Sequence, residues 1–119
     1  FERIPAYIRR AVQDPATHRL CGQIWSPDED FVWTDGGTWK KPRTAAPRIY
    51  EAHVGMAQET PAVGSYTEFA DKTLDWIAQA GYNTIQLMAI AEHPYYASFG
   101  YQVTNFFAPS SWFFLNWSI

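Results

Sequence analysis

A long segment late in the chain combines ring, amide and acid side chains. It covers residues 91–111, and its candidate ligand-binding residues are Glu92, His93, Tyr96, Gly100, Tyr101 and Asn105. Aromatic rings stack on the apolar C–H face of a pyranose, while amides and carboxylates hydrogen-bond its hydroxyls. Any single ring here is more simply explained by packing within the segment, but the group as a whole predicts a sugar-binding site.

Glu92 and His93 are also the adjacent acid and base that catalysis would require. General acid/base cleavage of a sugar linkage uses two carboxylates. Nothing else in the chain offers Glu92 a catalytic partner. We therefore expect Glu92 mainly to hold the segment in place. No residue of the chain is assigned a catalytic role.

A second polar pair, Glu51 and His53, falls on one face of an apolar strand, because side chains alternate along a strand. If this face is buried, both side chains need hydrogen-bond partners, and Gln86 on the next strand is a candidate. The histidine spacing fits no standard zinc motif, so the prediction is a hydrogen-bonded core histidine and no metal site.

The elements that position these residues are a strand, a helix and a second strand. Residues 48–54 predict the first strand, and Ser65 with Glu68 forms an S-x-x-E capping box that begins a helix. Gly81 is the expected stop. Residues 84–90 are almost continuously apolar, which predicts a parallel strand covered on both faces. The helix stripe predicted to be buried comprises Tyr66, Phe69, Ala70, Thr73, Leu74 and Ile77.

Such a β-α-β unit occurs mainly in doubly wound sheets and in (β/α)8 barrels. The stretch after the first strand has one glycine, Gly55, where a dinucleotide-binding turn needs three, so a barrel is favoured. A generic nucleotide-binding domain stays a weak alternative. Barrel ligands bind at the carboxyl ends of the strands, where the 91–111 segment begins. This segment is far longer than the usual connection of about 2–6 residues.

The first part of the chain predicts a different unit. Apolar residues 4–8 and 20–25 flank a turn at residues 13–17, which indicates two strands, and residues 26–47 have a linker composition. We place a domain boundary near residue 45. Trp25, Trp33 and Trp39 are equally compatible with glycan-stacking surfaces and with internal packing.

Composition excludes several classes of partner. The 119 residues carry nine Lys and Arg against twelve Asp and Glu, a formal charge of −3, which argues against a nucleic-acid-binding surface. No stretch approaches the ~20 apolar residues of a membrane span. The lone Cys21 excludes an internal disulfide, and we expect it to be a small core residue.

Three stretches resemble a known family: PRIYEAHVGMAQE, YTEFADKTLDWIAQAGYNTIQLMAI and AEHPYYASFGYQVTNFFAPSS. They are similar to glycogen and starch branching enzymes, the 1,4-α-glucan branching members of the α-amylase family (glycoside hydrolase family 13). The resemblance implies an N-terminal fragment with an α/β fold. Residues 46–111 would start a (β/α)8 TIM barrel, and residues 1–45 would be the last strands of a β-sandwich carbohydrate-binding module with its linker.

The resemblance also implies an activity, namely cleavage of an α-1,4 glucan and transfer of the released segment to a 6-hydroxyl by a retaining mechanism. Tyr101, in the motif FGYQ, matches the family tyrosine that stacks on the sugar at the cleavage point, and Gly100 lets the backbone turn there. The nucleophile and the acid/base residue would lie beyond this chain. The resemblance implies an α-1,4-glucan as the partner and no cofactor. It also implies a cytoplasmic location, with a plastid as the alternative. A noncatalytic glucan-binding fragment is the alternative function.

Residues 112–119 depart from the family pattern. They form an uncharged, aromatic octapeptide that is typical of aggregation-prone windows, and we interpret it as an atypical tail. A barrel needs about 250 residues to close. We therefore expect the 119 residues alone to be poorly folded and catalytically inactive.

Overall fold

The computed structural model describes residues 5–34 and 46–114, and these ranges contain one helix and three two-stranded sheets. The first sheet pairs β1 (Ala11–Gln13) with β2 (Leu20–Gly22), antiparallel. The second pairs β3 (Ile49–His53) with β4 (Thr84–Met88), parallel, with helix α1 (Tyr66–Gln79) between them in the chain. The third pairs β5 (Ala91–Glu92) with β6 (Asn105–Pro109), antiparallel.

The hairpin of β1 and β2 confirms two strands joined by a turn, but the prediction of a first strand at residues 4–8 is wrong. Proline has no N–H to donate to a ladder. The carbonyl of Pro5 accepts from Ile8 N at 3.2 Å in a turn. Pairing therefore begins only at Ala11. The turn between the strands is held by Asp14, whose Oδ1 accepts from the backbone N–H of Ala16 and Thr17.

Side chains of this hairpin are more exposed than expected. Cys21, predicted to be a core residue, is exposed because no second layer of the described residues covers its face of the three-residue strand. Trp25 and Trp33 are also exposed, and Arg10 lies over the Trp25 ring at 4.6 Å from its centroid. Residues 35–45, which include Trp39 and the predicted boundary, lie outside the described residues.

Helix α1 begins and ends where the sequence predicts. Ser65 Oγ accepts from Glu68 N at 3.1 Å, and Glu68 Oε2 accepts from Ser65 N at 3.3 Å, which completes the capping box. The pKa of Glu68 is lowered mainly by the Lys72 ammonium and, to a smaller extent, by the hydrogen bond from Ser65 N–H. After Ala80 the chain leaves the helix at Gly81, whose φ is +91°. Glycine adopts this conformation most readily.

The buried stripe of α1 is narrower than predicted. Phe69 and Ile77 are buried, but Ala70 and Leu74 are exposed. The reason is geometric: the helix lies against two strands, and a sheet this narrow covers only the central line of a helix face.

The parallel pairing of β3 and β4 is confirmed, with Ile49 opposite Thr84 and His53 opposite Met88. The expectation that residues 84–90 are covered on both faces is wrong. Leu87 and Ile90 are 37% and 45% exposed, because in the described part of the chain β4 has one neighbouring strand and α1 covers one face. The strand ends at Met88, since Ala89 adopts a left-handed φ of +60°, which breaks the extended conformation.

The core between the parallel strands and α1 consists of Ala52, Val54, Phe69, Ile77 and Phe113. Phe113 is the unexpected member, because residues 112–119 were predicted to be an atypical tail. It is buried in a short 3₁₀ turn at Ser111–Phe113, so the packed unit extends past residue 111. Residues 115–119 of the predicted tail lie outside the described part of the chain.

The one helix found in the described ranges is neither long enough nor apolar enough to cross a membrane.

Candidate functional site at the carboxyl end of the parallel strands

The 91–111 segment leaves the end of β4 and returns to it. The sequence predicts a long connection here, but the two ends of the segment pair as strands β5 and β6. The register shifts between Ala91 and Glu92. Ser110 N donates to the carbonyl of Ile90 at 2.8 Å, close to the end of β4. The segment is therefore a closed projection whose middle, residues 95–104, extends from a small sheet.

Glu92 holds this base together, as expected. Its Oε1 accepts from His93 N and its Oε2 accepts from Ser111 N, both at 3.0 Å. The side chain is buried, and burial raises the pKa of Glu92, while the Ser111 and His93 donors oppose this rise. Burial of Tyr66, helped by the nearby charge of Glu92, also raises the pKa of Tyr66 to about 12.

His93 lies fully buried behind Glu92. Its Nδ1 is 3.0 Å from the carbonyl of Ala91, so the tautomer with Nδ1–H donating fits this contact. Its own carbonyl accepts from Trp112 Nε1 at 2.9 Å. Among residues 5–34 and 46–114, no hydrogen-bond partner reaches His93 Nε2.

Asn105 starts β6 opposite Glu92 and is buried as well. The residue before it, Thr104, donates both its N–H and its hydroxyl to the carbonyl of Glu92, at 2.9 and 3.2 Å. The sequence-predicted residues Glu92, His93 and Asn105 are thus brought together. None of the three side chains is accessible to a ligand in this structure.

Tyr96 connects the projecting part to the chain after β3. Its hydroxyl donates to the carbonyl of Gly55 at 3.3 Å, and its ring packs against Trp112 with centroids 5.6 Å apart. A Cβ on Gly55 would lie 2.9 Å from that hydroxyl and 2.6 Å from the Phe113 ring. Only glycine permits this close approach.

Gly100 places the projection against the end of β4. Its φ is +82°, and a Cβ added to it would lie 2.5 Å from both Cα and Cβ of Ala89. The expectation that glycine allows the turn is confirmed. Because Ala89 directly follows β4, this contact brings Tyr101 to the carboxyl end of the parallel strands.

Tyr101 presents its ring to solvent. The side chain is 81% exposed, and its backbone N–H donates to the carbonyl of Ser98 at 3.0 Å. No ring of the described residues is recorded in contact with it. Its backbone is fixed while its ring is free, which is the arrangement that a stacking platform for a ligand requires.

Sequence reasoning missed three features that shape the site. Phe113 was assigned to the tail, and nothing in the local sequence indicates the left-handed Ala89. His53 was predicted to be a hydrogen-bonded core histidine, with Gln86 as a candidate partner, but no partner among the described residues reaches its ring nitrogens, so the prediction of a hydrogen-bonded histidine is wrong. Gln86 is exposed and pairs in register with Glu51, two positions before His53.

A parallel strand-helix-strand unit with an exposed tyrosine at the carboxyl end of its second strand defines a segment of an α/β protein, a class in which ligands bind at the strand ends. No family model matches the chain. It is 49% identical over 111 residues to the 1,4-alpha-glucan-branching enzyme of Dictyostelium discoideum, covering 93% of this chain and 16% of that protein.

The chloroplastic/amyloplastic 1,4-alpha-glucan-branching enzyme of Oryza sativa subsp. japonica is 53% identical over 114 residues, which cover 92% of this chain and 14% of that protein. The 1,4-alpha-glucan-branching enzyme of Saccharomyces cerevisiae is 45% identical over 120 aligned residues, which cover 93% of this chain and 17% of that protein. Over 92–93% of its length, the chain is therefore similar to one segment of 1,4-alpha-glucan-branching enzymes. It spans less than a fifth of the length of these curated relatives.

Proposed function

We propose that these residues are one segment of a longer protein that cleaves an α-1,4-glucan and transfers the released piece to a 6-hydroxyl, which creates an α-1,6 branch. The observation that supports this most directly is the exposed ring of Tyr101 beside Gly100 at the carboxyl end of β4. The similarity to branching enzymes supplies the substrate class. Tyr101 would stack on a glucose unit, and Tyr96 and Gly100 would position it.

In this proposal, residues 46–111 start a (β/α)8 barrel in which β3, α1 and β4 are the first strand, helix and second strand. The right-handed crossover expected for parallel strands and the ligand site at the strand ends suit that architecture. The hairpin of β1 and β2 would belong to the end of a β-sandwich carbohydrate-binding module in residues 1–45. Residues 112–119 would be a C-terminal segment of atypical sequence, in which Phe113 packs into the core.

The buried residues would act from beneath the site. Glu92, His93 and Asn105 have no accessible side-chain surface, so their contribution to glucan binding would be to hold the base of the projection. Retaining transfer needs two carboxyl groups about 5–5.5 Å apart at the reacting carbon. We place both of them outside this chain, so the 119 residues alone are expected to be inactive.

We further propose a cytoplasmic location, with a plastid as the alternative, since the rice relative is named as chloroplastic/amyloplastic. The proposed partner is an α-1,4-glucan such as glycogen, amylose or amylopectin.

The test compares Tyr101→Ala with Tyr101→Phe in the full-length protein, by assaying branch formation on amylose. Loss of the ring should lower the transfer rate at least about tenfold, equivalent to about 1.4 kcal/mol, while phenylalanine should retain most of it. Trp76→Ala removes an exposed ring of α1 that lies beside Tyr50, near the start of β3, and should have little effect on transfer. A smaller effect of Tyr101→Ala contradicts the stacking role. Saturable glycogen binding without transfer would instead favour the noncatalytic glucan-binding fragment.

A further inference from the structure

His53, the partly buried last residue of β3, packs against three aromatic rings, which we call the aromatic box. The ring centroids of Tyr96, Phe99 and Phe113 lie 6.4, 6.0 and 5.7 Å from the imidazole, at interplanar angles of 90°, 76° and 77°. Such edge-to-face contacts stabilise aromatic pairs beyond the area they bury. The imidazole therefore packs as an aromatic residue.

All three rings come from chain that follows β5, whereas His53 belongs to β3. Tyr96 begins the short 3₁₀ turn at Tyr96–Ser98, and Phe99 directly follows it and leads to Gly100 and Tyr101. The box is thus a tertiary contact that joins the end of β3 to the projection carrying Tyr101.

The ring nitrogens of His53 lack hydrogen bonds inside the aromatic box. Both ring nitrogens are buried, and neither has a hydrogen-bond partner within the described ranges. Burial, and to a smaller extent the neighbouring His93, lowers the pKa of His53, so the ring is neutral at neutral pH. A neutral imidazole tolerates an apolar setting far better than an imidazolium does, because the charge has to give up its hydration.

We propose that His53 is a positioning residue whose neutral ring fastens residues 96–101 to β3, and that protonation of this ring releases them. Among the described residues, the side chains in contact with the His53 ring and its partner on β4 carry no negative charge. Tyr96 has its hydroxyl engaged by the Gly55 carbonyl, Phe99 and Phe113 are apolar, and Met88 is the partner on β4.

Two ionisable side chains besides His53, those of His93 and Glu92, lie close to the aromatic box. The charge interaction with His93 is a minor cause of the lowered pKa of His53, after burial. Glu92, whose carboxylate is held by Ser111 N and His93 N, has the opposite pH dependence. Because its pKa is raised above 4.5 in the folded state, its burial costs stability as pH rises above that value.

The direction of the pH effect follows from linkage. With its pKa lowered from 6.5 in the folded state, His53 contributes fully above the unfolded value, and its contribution is lost as pH falls from there toward the lowered pKa. One proton changes an equilibrium by at most about tenfold per pH unit. Over about two pH units below neutrality we expect residues 96–101 to lose at least about threefold in protection.

The experiment is hydrogen–deuterium exchange of the full-length protein, expressed as protection factors so that the intrinsic pH dependence cancels. The reporters are the amides of Ser98, Phe99 and Tyr101, which donate to Tyr95, Tyr96 and Ser98 carbonyls. In the wild type their protection should fall on acidification. In His53→Phe, which keeps a ring but cannot titrate, protection should stay high and should not fall on acidification.

Two further variants complete the comparison. His53→Gln cannot titrate either but lacks the ring, so protection should be low at every pH, whereas a merely polar role would be rescued by glutamine and not by phenylalanine. His18→Gln changes an exposed histidine in the β1–β2 turn and should behave as the wild type.

A loss of protection on acidification that survives in His53→Phe, or one that is missing in the wild type, would overturn the proposal. So would reporter amides that are already unprotected under mildly alkaline conditions, since the box would then not hold the segment. No glucan is present in this measurement, so its outcome is independent of whether Tyr101 stacks on a sugar.

Discussion

Glu92 Oε2 accepts a hydrogen bond from Ser111 N at 3.0 Å, and this bond joins two residues that lie 19 positions apart in the chain. It closes the base of the projection that carries Tyr101. A loop regains conformational entropy when its ends separate. The buried Glu92 carboxylate, which joins the two ends, therefore helps to keep residues 95–104 ordered. The site thus depends on a residue that a ligand cannot reach.

Removing this carboxylate should loosen the projection. Glu92→Ala leaves the N–H groups of His93 and Ser111 without their acceptor. We expect the free energy of local opening to fall by about 2–5 kcal/mol. Glu92→Gln keeps one carbonyl acceptor and should lose less. Glu59→Ala, at an exposed position, is the control. The measurement is hydrogen exchange at Ser98, Phe99 and Tyr101, and equal protection in Glu92→Ala and Glu59→Ala would contradict the closing role.

Gly81 and Gly100 both have a positive φ, but only at Gly100 would an added Cβ collide with a neighbour. Comparing alanine substitutions at the two positions therefore separates the energetic cost of the backbone conformation from that of the steric clash. Gly81→Ala forces alanine to a φ of +91°, with nothing within 4 Å of its Cβ. The backbone conformation alone should then destabilise the end of α1 by about 1–2 kcal/mol. Gly100→Ala adds a Cβ that would lie 2.5 Å from the Cα of Ala89. Its cost should exceed that of Gly81→Ala by about 1–3 kcal/mol.

The measurement for this pair is the local opening free energy at the end of α1 for Gly81→Ala and at residues 96–101 for Gly100→Ala. Equal costs would show that Gly100 does not approach Ala89 as closely as the 2.5 Å separation implies. Branching activity should follow the same order, because only Gly100 adjoins Tyr101.

Phe113 offers a test of where the packed unit ends. Its side chain is buried in the core with Val54 and Ile77. Phe113→Ala should therefore lower the stability of the β3–α1–β4 unit by about 3–5 kcal/mol. Amide protection in β3 and β4 is the measurement.

The control for this variant is Phe106, a ring of the same type that is 74% exposed. Phe106→Ala should change stability by less than about 0.5 kcal/mol, as is usual for surface substitutions. If the two variants behave alike, the chain after residue 111 is a tail after all.

Local chemistry was sufficient to predict α1 and its two flanking strands. The capping box needs only Ser65 and Glu68 three residues apart, and the stop at Gly81 needs only a residue free to adopt a positive φ. The alternation in β3 and the apolar run of β4 are properties of consecutive residues. The sequence motif around Tyr101 likewise indicated the ligand class before any distance was known.

The contacts that position the site could not be predicted in this way. The approach of Gly100 to Ala89, the closure of residues 91–111 by Glu92 and the packing of His53 against rings from later in the chain each join residues that are distant in sequence. The burial of Phe113 also depends on where the chain returns after β6. Sequence by itself determined α1 and its flanking strands β3 and β4, because these follow from neighbouring residues, and it predicts a glucan as the ligand. The tertiary structure alone decided which side chain faces solvent and which is buried beneath it, because packing depends on the path of the whole chain.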